Sequence, residues 1–391
     1  MKLFGTDGIR GRSNTFPMTA ENIVRVGQAL GILLQEQSYK NHHEIRKVVI
    51  GKDTRLSGYM IEQALSSGLN SMGIHVLLVG PLPTPGIGFL ARNMRADAGI
   101  VISASHNQYE DNGIKIFGAD GYKISDEWEK RIEELVADPK LQDRLVPSER
   151  IGRSKRIDDA QGRYIVDVKN KFPLADSLEG ARIILDCANG AGYKVGPRIL
   201  EELGAEVIVI GDEPNGTNIN DKCGALFPER LSEYVRQYRA DLGISLDGDG
   251  DRVIMVDERG SIVNGDHILG ICAIHAKETG LLRNNTVVAT QMSNFGLEKL
   301  LKKHGITLIK TNVGDRYVVE ELKKGNHFLG GEQSGHIVFI DHSTTGDGMI
   351  AALNVLSVMR DKNKKLSELR DVLVEVPQVL KNVRVSRRSE L

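Results

Sequence analysis

Residues 99–107 read Gly99-Ile100-Val101-Ile102-Ser103-Ala104-Ser105-His106-Asn107. The apolar half of this stretch is typical of a buried β-strand, and it ends abruptly in small polar side chains. Open α/β sheets bind their ligands beyond the carboxyl ends of such strands. Ser105 could act there as a nucleophile if neighbouring groups activate it. A hydrogen-bonded turn without any chemistry is the alternative interpretation of the same residues.

The residues before this stretch predict a β-α-β unit. A strand at Lys47–Gly51 leaves through the loop Lys52–Arg55, and a helix capped by Ser57 continues to Met72. The next strand is predicted at His75–Val79. Residues 81–85 form a Pro-rich connector, after which a short helix leads to the Ser105 strand.

Strands and helices alternate in the same way downstream. The predicted strands are Arg182–Asp186, Glu206–Ile210, Leu242–Leu246, Val253–Val256, Thr286–Thr290 and Ile306–Lys310. The predicted helices are Ala191–Leu203, Asp266–Glu278, Phe295–His304, Asp315–Lys323 and Asp347–Met359. This alternation indicates an α/β protein with mixed, mainly parallel sheets flanked by helices.

The chain is too long, at 391 residues, for a single ordinary core. We expect three successive α/β domains at residues 1–155, 156–254 and 255–368. The charged segment 147–159 has the composition of a linker between the first two. Residues 369–391 are expected to begin a truncated fourth domain.

Composition excludes several classes of function. With 51 basic and 52 acidic residues the formal charge is −1, which argues against a nucleic-acid or membrane-surface protein. The three cysteines form no CxxC pair and are interpreted as reduced thiols of a cytoplasmic protein. No stretch approaches the roughly 20 apolar residues of a membrane helix. Small molecules are therefore the expected partners.

The loop Asp247-Gly248-Asp249-Gly250-Asp251-Arg252 predicts a site for a hard cation. Its three carboxylates alternate with glycines, and unit charges about 4 Å apart repel by roughly 4 kcal/mol at an effective dielectric of 20. Mg²⁺ or Ca²⁺ would relieve that repulsion. An EF-hand is the rival interpretation, but Arg252 stands at its glycine position and the flanks are predicted strands. A solvated acidic turn is the other.

Three further stretches contain polar or charged side chains that could bind a ligand or transfer a proton. Gly330–His336 presents Glu332, Ser334 and His336, which can grip hydroxyls, although a simple glycine-rich turn fits this loop as well. Lys115 is a candidate acid or base near Ser105, or else a surface lysine. The N-terminal loop Gly5–Gly11 presents one acid and one base.

Together these stretches resemble the α-D-phosphohexomutases. The resemblance rests on Gly5–Gly11, Ser103–Asn107 with Asp111–Lys115, Asp247–Arg252 and Gly330–His336, in that order, and covers essentially the whole chain. The N-terminal Gly-Thr-Asp-Gly-Ile-Arg-Gly, the serine loop and the Gly-Glu-Gln-Ser-Gly-His loop favour the glucosamine-specific members.

The resemblance implies roles for individual residues. It makes Ser105 a phosphoserine whose phosphate completes a Mg²⁺ site with the three aspartates. Arg10 and Arg252 would stabilise the transferring phosphoryl group, and Lys115 and His106 would help to move the sugar proton. The sugar-binding residues would be Glu332, Ser334 and His336.

The implied reaction interconverts glucosamine 6-phosphate and glucosamine 1-phosphate through a glucosamine 1,6-bisphosphate. A phosphomannomutase or phosphoglucomutase, and an inactive sugar-phosphate-binding protein, remain as alternatives, with a metal-dependent phosphatase more distant. A homodimer is left open.

Two features depart from the family pattern. Gln108 follows Asn107 where the family usually has proline, so the serine loop is expected to be less rigid. The Arg-x-Ser-Gly-Thr-Glu-Pro loop of a fourth, phosphate-binding domain does not occur, although residues 377–383 resemble the start of that domain. Without that phosphate clamp, we expect a folded protein that is a poor mutase.

Overall fold

The structure, a computed structural model, describes residues 2–41 and 46–379. It contains three β-sheets that follow one another along the chain, each flanked by helices. Each sheet has parallel strands with antiparallel strands on one side. The predicted fold class, successive α/β domains with mixed sheets, is therefore confirmed.

The first sheet contains seven strands within the described residues. They are β1 (Phe4–Gly5), β2 (Gly8–Arg12), β3 (Lys47–Lys52), β4 (His75–Pro81), β5 (Ala98–Ile102), β6 (Asp111–Gly118) and β7 (Ser154–Arg156). Their order is β1-β2-β6-β5-β3-β4-β7. The four strands β5, β3, β4 and β7 are parallel to one another. The accompanying helices are α1 (Ala20–Asn41), α2 (Gly58–Asn70), α3 (Thr84–Asn93) and α4 (Asp126–Ala137).

The second sheet has the order β12-β11-β10-β8-β9. Its elements are α5 (Ala160–Lys169), β8 (Arg182–Asp186), α6 (Val195–Glu202), β9 (Glu206–Ile210), α7 (Pro228–Tyr238), β10 (Leu242–Leu246), β11 (Val253–Asp257) and β12 (Ile262–Val263). The strands β10, β8 and β9 are parallel.

The third sheet has the order β14-β13-β15-β16, in which β16 is antiparallel to β15. Its strands are β13 (Thr286–Thr290), β14 (Thr307–Thr311), β15 (Leu329–Gly331) and β16 (Ile337–Phe339). Its helices are α8 (Gly265–Glu278), α9 (Phe295–Lys303), α10 (Asp315–Gly325), α11 (Gly348–Lys362) and α12 (Leu366–Arg370).

The central strands are buried on both faces, as apolar runs in parallel sheets require. Every residue of β5, β10 and β13 is buried. One continuous apolar cluster joins all three sheets and includes Val49, Leu185 and Val287. A second cluster, between the first sheet and α1, α2 and α4, belongs to the first sheet alone. The shared cluster holds the three sheets in one arrangement, with loops between them.

Two segments predicted as irregular contain strands. The Gly5–Gly11 loop is a hairpin of β1 and β2, and β2 pairs with β6 near the antiparallel end of the first sheet. The linker predicted at 147–159 contains β7, which pairs with β4 at the sheet edge. Both segments lack an apolar alternation, so their pairing depends on strands that are distant in sequence.

Two details of the helices were predicted wrongly. The Ser57 side chain makes no capping hydrogen bond to α2, because its hydroxyl accepts the Nδ2–H of Asn112 at 2.8 Å. Helix α6 begins at Val195 and not at Ala191, because residues 187–194 form a loop in which Ala188 and Asn189 have positive φ. The strands β6, β12, β15 and β16 and the helices α4, α5, α7 and α12 were not predicted.

Within the described ranges, none of the helices has the length and apolarity that crossing a membrane requires. Residues 371–379 contain no helix or strand beyond a turn at their start. The end of the 369–391 segment, including residues 380–383 of the predicted domain start, lies outside the described residues.

Candidate active site

Four loops that follow carboxyl ends of strands meet between the three sheets. They follow β3, β5, β10 and β15, and they carry Asp53–Arg55, Ser103–Asn107, Asp247–Arg252 and Glu332–His336. Contacts between the loops cross the sheet boundaries, from Ser105 to Asp247 and from Arg252 to His336. The arrangement is the one that open α/β sheets use for ligands.

Ser105 is the residue at which the first and second sheets meet. Its side chain is buried, and its Oγ donates a hydrogen bond to Asp247 Oδ2 at 2.6 Å. Its backbone has φ +52°, a left-handed conformation that costs a residue with a Cβ roughly 1–2 kcal/mol. Such a conformation persists only where surrounding contacts determine it. The hydroxyl is thus aimed at the acidic loop.

The three predicted aspartates form one buried cluster. Carboxylate oxygens of Asp247, Asp249 and Asp251 all lie within 4.8 Å of one another. Besides burial, mutual repulsion among the three raises the pKa of Asp247 well above its ordinary value, and the pKa of Asp251 is raised as well. The cluster therefore favours an added positive charge.

The residues fit a metal ion. Asp249 Oδ1 and Asp251 Oδ1 are buried and have no hydrogen-bond partner among the described residues, whereas their Oδ2 atoms are engaged by other side chains. Unpartnered buried carboxylate oxygens are costly unless a ligand uses them. An all-oxygen donor set is the preference of a hard divalent cation. The triad could hold such an ion beside Ser105 Oγ.

Lys115, from β6, is buried against this cluster. Its Nζ lies 3.1 Å from Asp249 Oδ2, 3.3 Å from Asp251 Oδ2 and 3.2 Å from Asp7 Oδ2. Burial works against the charged form, but these three carboxylates raise the Lys115 pKa well above its ordinary value. Lys115 is therefore a permanent ammonium group at neutral pH and is not a surface lysine.

His106 lies next to the Ser105 hydroxyl and, unlike Lys115, is uncharged. Its Nδ1 is 3.4 Å from Ser105 Oγ. Burial, together with the guanidinium groups of Arg252 and Arg10, lowers the His106 pKa to about 4. The imidazole is therefore neutral at neutral pH and can accept a proton.

Two arginines approach from different domains. Arg10 lies on β2 and pairs with Asp7, and Arg252 follows the aspartate loop with its Nε 4.0 Å from Asp251 Oδ1. The Nε atoms of both arginines are buried without a hydrogen-bond partner among the described side chains. Both guanidinium groups thus have donors to spare for an anion.

The loop Glu332–His336 joins β15 to β16. Glu332 is buried, and its carboxylate accepts the Gly314 N–H and the hydroxyl of the exposed Ser334, both at 3.1 Å. His336 is also buried, and its Nε2 accepts the Gly346 N–H at 3.2 Å. Ser334 thus presents a free face to the cleft, whereas the His336 ring anchors the loop from behind.

The loop approaches the second domain through Gly335. This glycine has φ +93°, and a Cβ atom there would lie 2.1 Å from the carbonyl oxygen of Val253. The carbonyl of Gly335 accepts the Val253 N–H at 3.1 Å. Only glycine permits this approach, which brings Glu332 to the Arg252 side of the cleft.

Several polar residues at the site were not predicted. Lys123 bridges Asp7 of the first domain and Asp315 of the third, and Thr84 donates to Asp249 Oδ2 at 2.7 Å. Asn220 donates to the carbonyl of Ser105 at 2.9 Å. These residues lie far apart in the sequence and have no motif of their own. Asp7 is the one acidic residue of the N-terminal loop Gly5–Gly11, and this was the only indication of its role in the sequence.

Comparison with protein families gives three matches along the chain. Residues 1–143, 162–260 and 264–376 match the alpha/beta/alpha domains I, II and III of phosphoglucomutase/phosphomannomutase. Together they cover most of the chain in the order in which the three sheets occur.

Individual proteins extend these matches to the full chain. The phosphoglucosamine mutase of Bdellovibrio bacteriovorus is 66% identical over 390 residues, covering 100% of this chain and 85% of that protein. That of Geotalea uraniireducens is 57% identical with the same coverage. A crystal structure of a putative phosphomannomutase from Thermus thermophilus superposes with a TM-score of 0.80 at 27% identity, covering 94% of this chain and 82% of that chain.

The region that matches these relatives spans 100% of this chain and therefore includes the serine loop, the aspartate loop and the Glu332 loop. With three domain matches in the expected order and 66% identity over the full length, the chain belongs to the phosphoglucosamine mutase family of the phosphohexomutases.

Proposed function

We propose that this protein interconverts glucosamine 6-phosphate and glucosamine 1-phosphate by exchanging a phosphoryl group between Ser105 and the sugar. The observation that carries the proposal is the 2.6 Å hydrogen bond between Ser105 Oγ and Asp247, at the edge of a cluster of three buried aspartates. A nucleophilic oxygen next to a cation site is what phosphoryl transfer requires.

The reaction consists of two phosphoryl transfers, the first from Ser105 to the sugar and the second from the sugar back to Ser105. With Ser105 phosphorylated, the free hydroxyl of the bound sugar monophosphate attacks the phosphorus, the bond from phosphorus to Oγ breaks and a sugar 1,6-bisphosphate forms. The bisphosphate then turns round, and Ser105 Oγ attacks the other phosphate. The serine is thereby rephosphorylated and the isomeric monophosphate is released, so phosphate and protons balance over the cycle.

His106 and Lys115 are proposed to have different roles in proton transfer. Neutral His106, with Nδ1 3.4 Å from Ser105 Oγ, can accept the proton of an attacking hydroxyl. Lys115, whose Nζ lies 3.1 Å from Asp249 Oδ2 and 3.3 Å from Asp251 Oδ2, can donate a proton or act as a fixed positive charge. The spare donors of Arg10 and Arg252 face the charge that develops on the phosphoryl group.

Asp247, Asp249, Asp251 and the Ser105 oxygen would hold Mg²⁺. When bound, Mg²⁺ neutralises the phosphoryl oxygens and makes phosphorus a better electrophile. The unpartnered Oδ1 atoms of Asp249 and Asp251 support this assignment.

The sugar hydroxyls would bind to Glu332 and Ser334. The buried Glu332 carboxylate is fixed by Gly314 N–H, and the exposed Ser334 hydroxyl can turn towards either orientation of the sugar. His336 supports this loop through its bond with Gly346 and is proposed to act by positioning it.

The test is peptide mapping of Ser105 after incubation with a sugar 1,6-bisphosphate. We expect one phosphoryl group on Ser105 and a loss of mutase activity of roughly a thousandfold or more in Ser105→Ala, because a covalent relay is removed. The matched control is Ser57→Ala. The Ser57 hydroxyl accepts a hydrogen bond from Asn112 and takes no part in the proposed phosphoryl transfer. Phosphate only on Ser103, or full activity of Ser105→Ala, would contradict the proposal.

Substrate choice is tested by comparing kcat/KM for glucosamine, mannose and glucose phosphates. Glucosamine phosphates are expected to be preferred, because one amino or hydroxyl contact can alter kcat/KM by ten-fold to several orders of magnitude. Equal or better turnover of mannose 1-phosphate would assign the protein to the phosphomannomutase alternative. Binding without any turnover would favour the inactive sugar-phosphate-binding alternative.

The domain boundaries at residues 155, 254 and 368, a cytoplasmic location and a homodimer are kept as predictions that accompany this proposal.

A further inference from the structure

We propose that Asp53 and Arg55 are positioning residues that hold Ser105 in its reactive conformation. The inference rests on the proposed role of Ser105 in phosphoryl transfer. Both residues lie in the loop after β3, next to the serine loop in the first sheet, and both side chains have no solvent exposure. Neither is expected to touch the substrate.

Arg55 uses all its guanidinium donors on this region. Nε donates to Asp53 Oδ2 at 2.8 Å, and Nη2 donates to the carbonyl oxygens of Ser105 at 2.9 Å and Asn107 at 2.8 Å. Nη1 donates to the carbonyl oxygens of Gln108 and Asp111. One buried cation thus binds three carbonyls of the loop after β5 and the carbonyl of Asp111, the first residue of β6.

Asp53 holds the other side of Ser105. Its Oδ2 accepts the Ser103 hydroxyl at 2.5 Å, and Ser103 Oγ in turn accepts the Ser105 N–H at 2.9 Å. Through Ser103 and Arg55, the same ion pair therefore fixes both the N–H and the C=O of Ser105. The hydrogen bonds form a closed ring around that residue.

This ring explains the left-handed backbone of Ser105. A residue with a Cβ adopts φ +52° only when its neighbours impose that conformation, and here both peptide groups are constrained. In this backbone conformation the Oγ donates its hydrogen bond to Asp247 Oδ2. Preorganisation of this kind lowers the cost of reaching the transition state.

The second domain supports the same loop. Asn220 Nδ2 donates to the carbonyls of Ser105 and Asn107 at 2.9 and 3.0 Å. The loop was expected to be less rigid because Gln108 replaces proline. Arg55 binds the Gln108 carbonyl directly, so a restraint from outside the loop acts at the position where the proline would stand.

A buried ion pair could also be purely structural, and the chain offers a matched comparison. Lys52 Nζ and Glu62 Oε2 form an ion pair at 2.7 Å on the same strand end, with side chains 5% and 10% exposed. Glu62 makes no contact with the serine loop among the hydrogen bonds of the described residues. Loss of either pair should destabilise the fold, but only loss of the Arg55 pair should slow phosphoryl transfer.

The experiment measures kcat, KM and the rate of Ser105 phosphorylation by a sugar 1,6-bisphosphate, followed by intact mass, in Arg55→Ala, Arg55→Lys and Glu62→Gln. In Arg55→Ala both rates should fall by roughly a hundredfold with KM little changed, as expected for a displaced nucleophile. Added ethylguanidinium should restore part of that loss. Arg55→Lys should lose roughly tenfold, because lysine cannot supply the planar fork.

Glu62→Gln should lower the melting temperature while leaving kcat within about twofold of the wild type. The inference is overturned if Arg55→Ala keeps its kcat, or if the kcat of Glu62→Gln falls equally. If Arg55→Ala does not fold, Arg55→Lys and Asp53→Asn decide in the same assay: unchanged rates overturn the inference. A wild-type protein that never carries phosphate on Ser105 would instead refute the proposed function, which separates the two failures.

Discussion

Asp249 shows at the scale of a single residue how the site is balanced. Its Oδ2 accepts from Thr84 at 2.7 Å and from Lys115 at 3.1 Å, and its Oδ1 has no partner among the described groups. Burial opposes ionisation, yet Lys115 and Thr84 lower the Asp249 pKa below its ordinary value. Asp249 is thus an ionised carboxylate with one oxygen reserved for a ligand.

Asp249→Asn is therefore expected to weaken binding of Mg²⁺ or Mn²⁺ and to lower kcat/KM by roughly a hundredfold or more, because a metal ion contributes several kcal/mol of charge stabilisation. Calorimetry or Mn²⁺ electron paramagnetic resonance measures the binding without reference to activity. The control is Asp257→Asn, another buried aspartate, whose carboxylate accepts the backbone N–H groups of Arg259 and Ser261. Unchanged metal affinity in Asp249→Asn would refute the metal assignment.

At the scale of elements, the β15–β16 hairpin depends on one close approach. The hairpin reaches the second sheet where Val253 N–H donates to the Gly335 carbonyl at 3.1 Å, and Arg252 bridges to His336. Glu332 and Ser334 belong to the same turn, so the proposed sugar-binding groups are positioned by contact with β11, the strand that follows the aspartate loop. This contact places the proposed sugar-binding loop next to the proposed metal-binding loop.

Gly335→Ala is expected to raise KM for the sugar phosphate and to lower stability by about 1–3 kcal/mol, because the added Cβ would lie 2.1 Å from Val253 O. Steady-state kinetics and thermal unfolding measure both effects. Gly180→Ala is a matched control, since Gly180 has φ +81° but nothing within 4 Å of an added Cβ. The prediction fails if the two variants lose equal stability and share a normal KM.

The whole molecule is connected by buried and half-buried polar bonds as well as by its shared apolar core. Thr84 of the first domain bonds Asp249 of the second, and Lys123 links Asp7 to Asp315 of the third. Tyr164 of α5 donates to Asp347 at 2.8 Å, and Asp347 caps α11 by accepting from Met349 and Ile350. These contacts hold the three domains together around the cleft.

The Asp347 contact predicts a pH dependence of stability. Burial raises the Asp347 pKa to about 6, against about 3.9 in an unfolded chain. The folded state therefore binds this proton more tightly, and the resulting stabilisation is complete below about pH 4 and lost as the pH rises to about 6. The loss amounts to about 3 kcal/mol.

Asp347→Asn keeps a capping oxygen without a titrating group. Its stability relative to the wild type should therefore rise between pH 4 and pH 6 and then stay level, as measured by urea unfolding. Asp159→Asn is the control with the opposite sign, because the hydrogen bond from Arg163 lowers the Asp159 pKa. A difference between Asp347→Asn and wild type that does not vary with pH would contradict the prediction.

Local residue patterns were sufficient for four strands of the second and third domains. The strands Arg182–Asp186, Glu206–Ile210, Leu242–Leu246 and Thr286–Thr290 have the predicted bounds. Each is a short apolar or β-branched run between turn residues, so its conformation is determined by burial and by neighbours in sequence. The polar loops at strand ends, Ser103–Asn107 and Asp247–Arg252, could be found for the same reason.

Only the tertiary structure decided which distant groups meet. No local pattern distinguishes Asp53, Arg55, Lys123, Asn220 or Asp315 from ordinary surface residues, since their roles come from strand ends converging between three sheets. The hairpin at Phe4–Arg12 and the edge strand at Ser154–Arg156 likewise depend on partners far along the chain. Hydrogen bonds and charge interactions act over a few ångströms in space, so they depend on packing that sequence spacing does not contain.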